Sequence, residues 1–119
     1  MRILLIEDKE RLSSVIKKGL KEDGFAVDVA FDGEEGQYLA ESESYDLIIL
    51  DIMLPNMVGV DILRHLKEEK PNLHSKVIIT TNLEQSKENR AEVEKHADGY
   101  IIKAEVTPRQ LVEFLNNIK

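Results

Sequence analysis

Runs of apolar residues divide the chain at regular intervals, and four of them close on polar side chains. Ile3-Leu4-Leu5-Ile6 leads into Glu7-Asp8, Leu47-Ile48-Ile49-Leu50 into Asp51, Val77-Ile78-Ile79 into Thr80-Thr81, and Tyr100-Ile101-Ile102 into Lys103. Short, uniformly apolar runs suit strands buried on both faces, as inside a parallel sheet. A fifth, weaker strand reads from Ala26 to Ala30. The stretches between carry helical periodicity. Leu12, Val15, Ile16 and Leu20 recur at helical spacing, and Gly24 follows as a stop signal. Asp32-Gly33 turns into a helix carrying Tyr38, Leu39 and Ala40, while Ile62, Leu63 and Leu66 mark a third helix that ends before Pro71. Residues 84–95 predict a fourth helix with few apolar positions, mainly Ala91 and Val93, expected to dock lightly. The last helix has the clearest start: Thr107 as N-cap, Pro108 at the first helical position and Gln110 completing a capping box, with Leu111, Val112, Leu115 and Ile118 as its buried stripe.

Five strands alternating with five helices predict an α/β domain with a doubly wound parallel sheet and right-handed crossovers. The expected strand order is 2-1-3-4-5, which sets the first and third strands side by side at the switch point. At 119 residues the chain reads as one domain, 1–119, long enough to bury a core without staples. It has no cysteine, which removes disulfides and thiolate metal sites and suits a reducing, cytoplasmic interior. No apolar stretch approaches the roughly 20 residues of a membrane span. A formal net charge of −7 disfavours direct contact with a nucleic-acid backbone.

Parallel strands all end on the same side, so Glu7, Asp8, Asp51, the Thr80-Thr81 pair and Lys103 are expected to gather at one carboxyl edge of the sheet. Two unit charges about 4 Å apart interact at roughly 4 kcal/mol for an effective dielectric near 20. Three carboxylates that close are unfavourable unless a cation is present or one stays protonated. A hard divalent ion with oxygen ligands answers the charge, and Mg²⁺ fits best because it takes few carboxylates and keeps waters for an incoming phosphate. In the plain alternative, Asp8 only caps the first helix and Asp51 only begins a loop. His65, His74 and His96 are scattered without metal-binding spacing.

In these residues the chain resembles the receiver domains of bacterial two-component response regulators, related to the chemotaxis regulator and flavodoxin-like in fold. The resemblance spans the whole sequence. It rests on Glu7-Asp8 after the first strand, Asp51 in Asp-Ile-Met-Leu-Pro, Thr81 after the fourth strand, and Lys103 after Tyr100-Ile101-Ile102. Residues 1–57 look most like the receivers of winged-helix transcription regulators. The resemblance implies a cytoplasmic signal-transduction phosphoprotein that takes a phosphoryl group from a sensor histidine kinase onto Asp51. Such a domain is not an enzyme beyond catalysing its own phosphorylation and dephosphorylation. Mg²⁺ would be held by Asp8, Asp51 and the backbone carbonyl of Met53, with Glu7 acting directly or through a water. Lys103 would hold the phosphoryl oxygens, and Thr81, favoured over Thr80 by the family's register, would donate its hydroxyl to them. Tyr100 would be the switch aromatic. The face formed by the fourth helix, the fifth strand and the last helix would signal to a downstream output domain or protein, with the chain a monomer or a phosphorylation-dependent dimer.

Three positions depart from the family pattern: Val58 replaces an acid, Ala104 replaces a proline after the lysine, and His96 replaces a helix-ending glycine. They sustain an alternative, a receiver-like interaction domain or a recombined or engineered scaffold with weak or no phosphate-dependent switching. A phosphatase of the haloacid-dehalogenase type is disfavoured, because the second Asp it needs two residues after the nucleophile is Met53 here.

Overall fold

The computed structural model describes residues 2–51, 59–69, 75–81, 95, 97–102 and 107–117. Strands β1 (Arg2–Ile6), β2 (Ala26–Ala30), β3 (Leu47–Asp51), β4 (Lys76–Thr81) and β5 (Gly99–Ile102) form a single sheet in the order β2-β1-β3-β4-β5. Every neighbouring pair is parallel. The predicted order and the switch point between β1 and β3 are therefore present. β3 is buried at all five positions, as a central strand covered on both faces must be.

Alternation along the strands splits the apolar residues into two cores. Leu4, Ile6, Ile48, Leu50, Val77 and Ile79 pack on one face with Ile62, Leu63 and Leu66. Ile3, Leu5, Leu47, Ile49, Ile78 and Ile101 pack on the other with Ile16 and Leu20. The described helices are α1 (Glu10–Glu22), α2 (Gly33–Ser42), α3 (Gly59–Arg64) running into a π-helical turn (His65–Glu69), and α4 (Pro108–Asn117); α1 and α3 with its π-helical turn supply those partners. The predicted fourth helix over 84–95 lies outside the described residues, apart from Lys95. None of the described helices is long and apolar enough to cross a membrane.

Local chemistry accounts for the helix ends. Gly24 closes α1 with φ 93°, a left-handed conformation that glycine adopts without a Cβ clash. The Asp32 side chain caps α2 by accepting from the Glu35 N–H at 2.8 Å. At α4 the capping box forms in both directions, Gln110 N–H to Thr107 Oγ1 at 3.1 Å and Thr107 N–H to Gln110 Oε1 at 2.8 Å. Gly36 lets α2 lie directly on β1: a Cβ there would meet three Ile6 side-chain atoms at 2.6–2.9 Å. Two apolar positions read as helix stripe are solvent-facing instead, Val15 on α1 and Tyr38 on α2. The buried residues of α1 are Ser13, Ile16 and Leu20, so its inward stripe is narrower than the apolar pattern suggested.

A polar cluster ties together the end of the sheet remote from Asp51. The Tyr45 hydroxyl donates to Asp28 Oδ2 at 2.8 Å, Arg2 reaches the same oxygen at 3.2 Å, and the Arg2 guanidinium lies 5.0 Å from the Tyr45 ring centre. Ser75 Oγ donates to the Tyr45 carbonyl at 2.6 Å. Burial, and then the bond and charge of Asp28, push the Tyr45 phenol above its ordinary value of 10.0. A phenol raised in the folded state gives stability that is complete below the unfolded pKa and is lost as pH climbs beyond it, because the unfolded chain releases its proton first. Tyr45→Phe is accordingly expected to flatten the alkaline arm of the stability curve. Urea midpoints of both proteins across pH 8–11.5 check this, and parallel curves would refute it.

Candidate functional site

The sheet's register brings the acids together. Ile6 is paired with Leu50, so one step further along each strand sets Glu7 level with Asp51. Glu7 stays tied to the sheet edge, its N–H donating to the Ala30 carbonyl at 3.0 Å. Chain direction then changes at Asp8 and Lys9 as α1 begins. Carboxylate oxygens from Glu7, Asp8 and Asp51 lie within 4.8 Å of one another. Glu7 and Asp51 are buried, at 1% and 4% exposure, and Asp8 is half-buried.

This geometry separates the two readings of the acids. The N-cap of α1 is Lys9, without a side-chain cap bond, so Asp8 is not occupied as a helix cap. Asp51 is the last residue of β3 and is buried there, which is not the setting of a residue that merely opens a loop. The Lys9 N–H approaches Glu7 Oε2 at 3.4 Å, a long contact that offsets little of the acids' mutual repulsion. At these separations each ionised pair repels by roughly 3–4 kcal/mol for an effective dielectric near 20. A cluster of three oxygen donors, one of them on the half-buried Asp8, fits a hard divalent cation that keeps part of its water shell. Among the described residues no nitrogen or sulfur donor joins the group. The residues present therefore fit Mg²⁺ by the chemistry of the donor set.

Asp51 pairs across the sheet with Thr80, and Thr80 with Ile101. Thr81 is one position further along, at the end of β4, opposite Ile102. Thr80, not Thr81, is thus the hydroxyl level with Asp51, a distinction invisible in β4 alone because register is a relation between strands. Tyr100 pairs with Ile79 in β5. Met53 and Lys103 lie outside the described residues, as do Val58, His96 and Ala104.

The sequence matches the family described as response regulator receiver domain over residues 3–116. It is 39% identical over 103 residues to the transcriptional regulatory protein CusR of Escherichia coli K12, an overlap of 87% of this chain and 44% of that protein. The chain thus spans about half the length of the curated relatives it matches. Among solved structures, a CheY-like response regulator receiver domain protein from Methanospirillum hungatei superposes with a TM-score of 0.87 at 32% identity, covering 98% of this chain and 91% of that one. The response regulator TrrA of Thermotoga maritima, solved in complex with Mg²⁺ and BeF, gives 0.80 at 28% identity over 99% of this chain and 98% of its own.

Proposed function

Because the chain belongs to the response regulator receiver domain family, we propose that residues 1–119 act as one phospho-accepting module of a two-component system, with Asp51 as the acceptor. The reading is carried by one observation: carboxylates from Glu7, Asp8 and Asp51, far apart in sequence, meet within 4.8 Å at the carboxyl edge of the sheet. An Asp51 carboxylate oxygen attacks the phosphorus of a phosphohistidine on a sensor kinase. The O–P bond forms as the N–P bond breaks, and the imidazole nitrogen keeps the electron pair and takes a proton. Catalysis here is positioning and charge neutralisation, with little covalent work for the protein.

Glu7, Asp8 and Asp51 are the residues that would hold Mg²⁺, together with the Met53 carbonyl. When bound, the ion offsets negative charge on the carboxylates and the phosphoryl oxygens. Lys103, which follows Ile102 in sequence, supplies a second positive charge to those oxygens. Thr81 donates its hydroxyl to the attached group, and Tyr100 on β5 responds to it. Residues 84–95, β5 and α4 then present the face that a downstream output domain or protein reads, in a cytoplasmic setting. TrrA, a similar receiver solved with Mg²⁺ and BeF, supports the choice of ion and of a phosphoryl-shaped ligand. The test is incubation with Mg²⁺ and acetyl phosphate, followed by intact mass and peptide mapping. One labile adduct, on Asp51, is expected. No adduct, or an adduct on another residue, would overturn the reading.

A further inference from the structure

The described residues include five buried polar side chains: Glu7, Ser13, Asp51, Ser75 and Thr80. Two of the three hydroxyls are satisfied by backbone, Ser13 Oγ donating to the Glu10 carbonyl at 3.0 Å and Ser75 Oγ to that of Tyr45 at 2.6 Å. Glu7 accepts from the Lys9 N–H and Asp51 also has a partner. Thr80, only 3% exposed, is the exception: among the described residues its hydroxyl makes no hydrogen bond. Buried hydroxyls are nearly always paired, because an unpaired one forfeits its solvation without return.

Position says what that hydroxyl could serve. Thr80 is the direct ladder partner of Asp51, and partners in a parallel ladder present their side chains on the same face. That face is the one carrying Ile49, Ile78 and Ile101. Adjacent strands are about 4.8 Å apart, so a rotation about one side-chain bond takes a threonine hydroxyl to a neighbouring carboxyl group. Among the described residues its neighbours along and across the ladder on that face, Ile78 and Ile101, are aliphatic, which leaves the Asp51 carboxylate as the acceptor on the strand beside it.

We propose that Thr80 is a positioning residue for phosphoryl transfer at Asp51. Its hydroxyl donates to the carboxyl oxygen that does not attack phosphorus, turning the attacking oxygen toward the donor. This rests on Asp51 being the acceptor. The bond forms as the carboxyl group is drawn into its reactive orientation; without it, Thr80 is an unsatisfied polar group in an apolar layer. The cost in stability and the gain in reactivity come from the same atom, so they separate in one substitution. Thr80→Val keeps the shape and removes the hydroxyl, and Thr80→Ser keeps the hydroxyl.

Thr80→Val is expected to raise the melting temperature of the metal-free protein by a few degrees. In Mg²⁺ and acetyl phosphate it should slow adduct formation on Asp51 by at least about tenfold in the maximal rate, the order expected for a misoriented reacting group, with little change in the donor concentration giving half that rate. Thr80→Ser should restore the rate, and the Asp51 carboxyl ¹³C resonance in the phosphorylated protein should shift in the valine variant and return in the serine one. A valine variant that is more stable but phosphorylated at the wild-type rate would overturn the proposal, leaving Asp51 as acceptor. So would a slowed valine variant that serine fails to rescue. Wild-type protein that forms no adduct would overturn the proposal together with the function it rests on.

Discussion

Asp51→Asn is expected to abolish the adduct with acetyl phosphate and, in the absence of metal, to make the protein harder to melt. The two effects have one origin. Asparagine lacks a nucleophilic oxygen anion, so no acyl phosphate forms, and it also removes one of three negative charges held within 4.8 Å. Asp8 is half-exposed, so solvent screens part of its repulsion, and the net relief comes to about 1–2 kcal/mol. Against a total stability of the order of 5–15 kcal/mol this is several degrees in melting temperature. Calorimetric melts of both proteins in chelator read the stability, and intact mass reads the chemistry. An unchanged or lowered melting temperature would contradict the crowding of the acids.

The second large effect lies under the site. Leu50 is fully buried, pairs with Ile6, and precedes Asp51 on the central strand. Removing its side chain leaves a cavity between β3 and α3 with its π-helical turn, where Ile62, Leu63 and Leu66 are also fully buried. Leu50→Ala is expected to lose about 3 kcal/mol, a transfer cost plus a cavity cost in a layer that cannot collapse onto a twisted sheet. Glu7 and Asp51 each follow one member of the Ile6–Leu50 pair, so the loss reaches the acids through the backbone and weakens cation binding as well. Urea denaturation and a Mg²⁺ titration of the same variant check both. A loss under about 1 kcal/mol would mean the layer tolerates voids that close packing forbids.

Much of this was legible before any coordinates. The runs at residues 3–6, 47–50 and 77–79 are apolar on both parities, which only a doubly covered strand requires, and strict alternation with helices then orders the sheet. The ends of α1 and α4 were legible because Gly24, Thr107, Pro108 and Gln110 act locally, within a few residues of where they stand. Pairwise relations between distant segments were not legible. Nothing in Thr80-Thr81 says which hydroxyl stands opposite Asp51, since a slip of one residue exchanges them. The Arg2–Asp28–Tyr45 cluster joins three ordinary surface residue types through the register of β1 and β2, and no spacing announces it. Val15 and Tyr38 show the opposite failure, apolar residues at helical spacing that the packed helices turn outward. The acid cluster fell between these cases: which residues meet could be read from the strand ends, while their burial could not.

The central claim is that Glu7, Asp8 and Asp51 make one divalent-cation site at the sheet's edge. Its most direct test is a Mg²⁺ titration of the unphosphorylated protein followed by NMR of the carboxyl carbons. The account predicts saturable uptake of one ion at millimolar concentration, with the largest shifts at Glu7, Asp8 and Asp51. Shifts spread evenly over the acidic surface, or no saturation in that range, would contradict it.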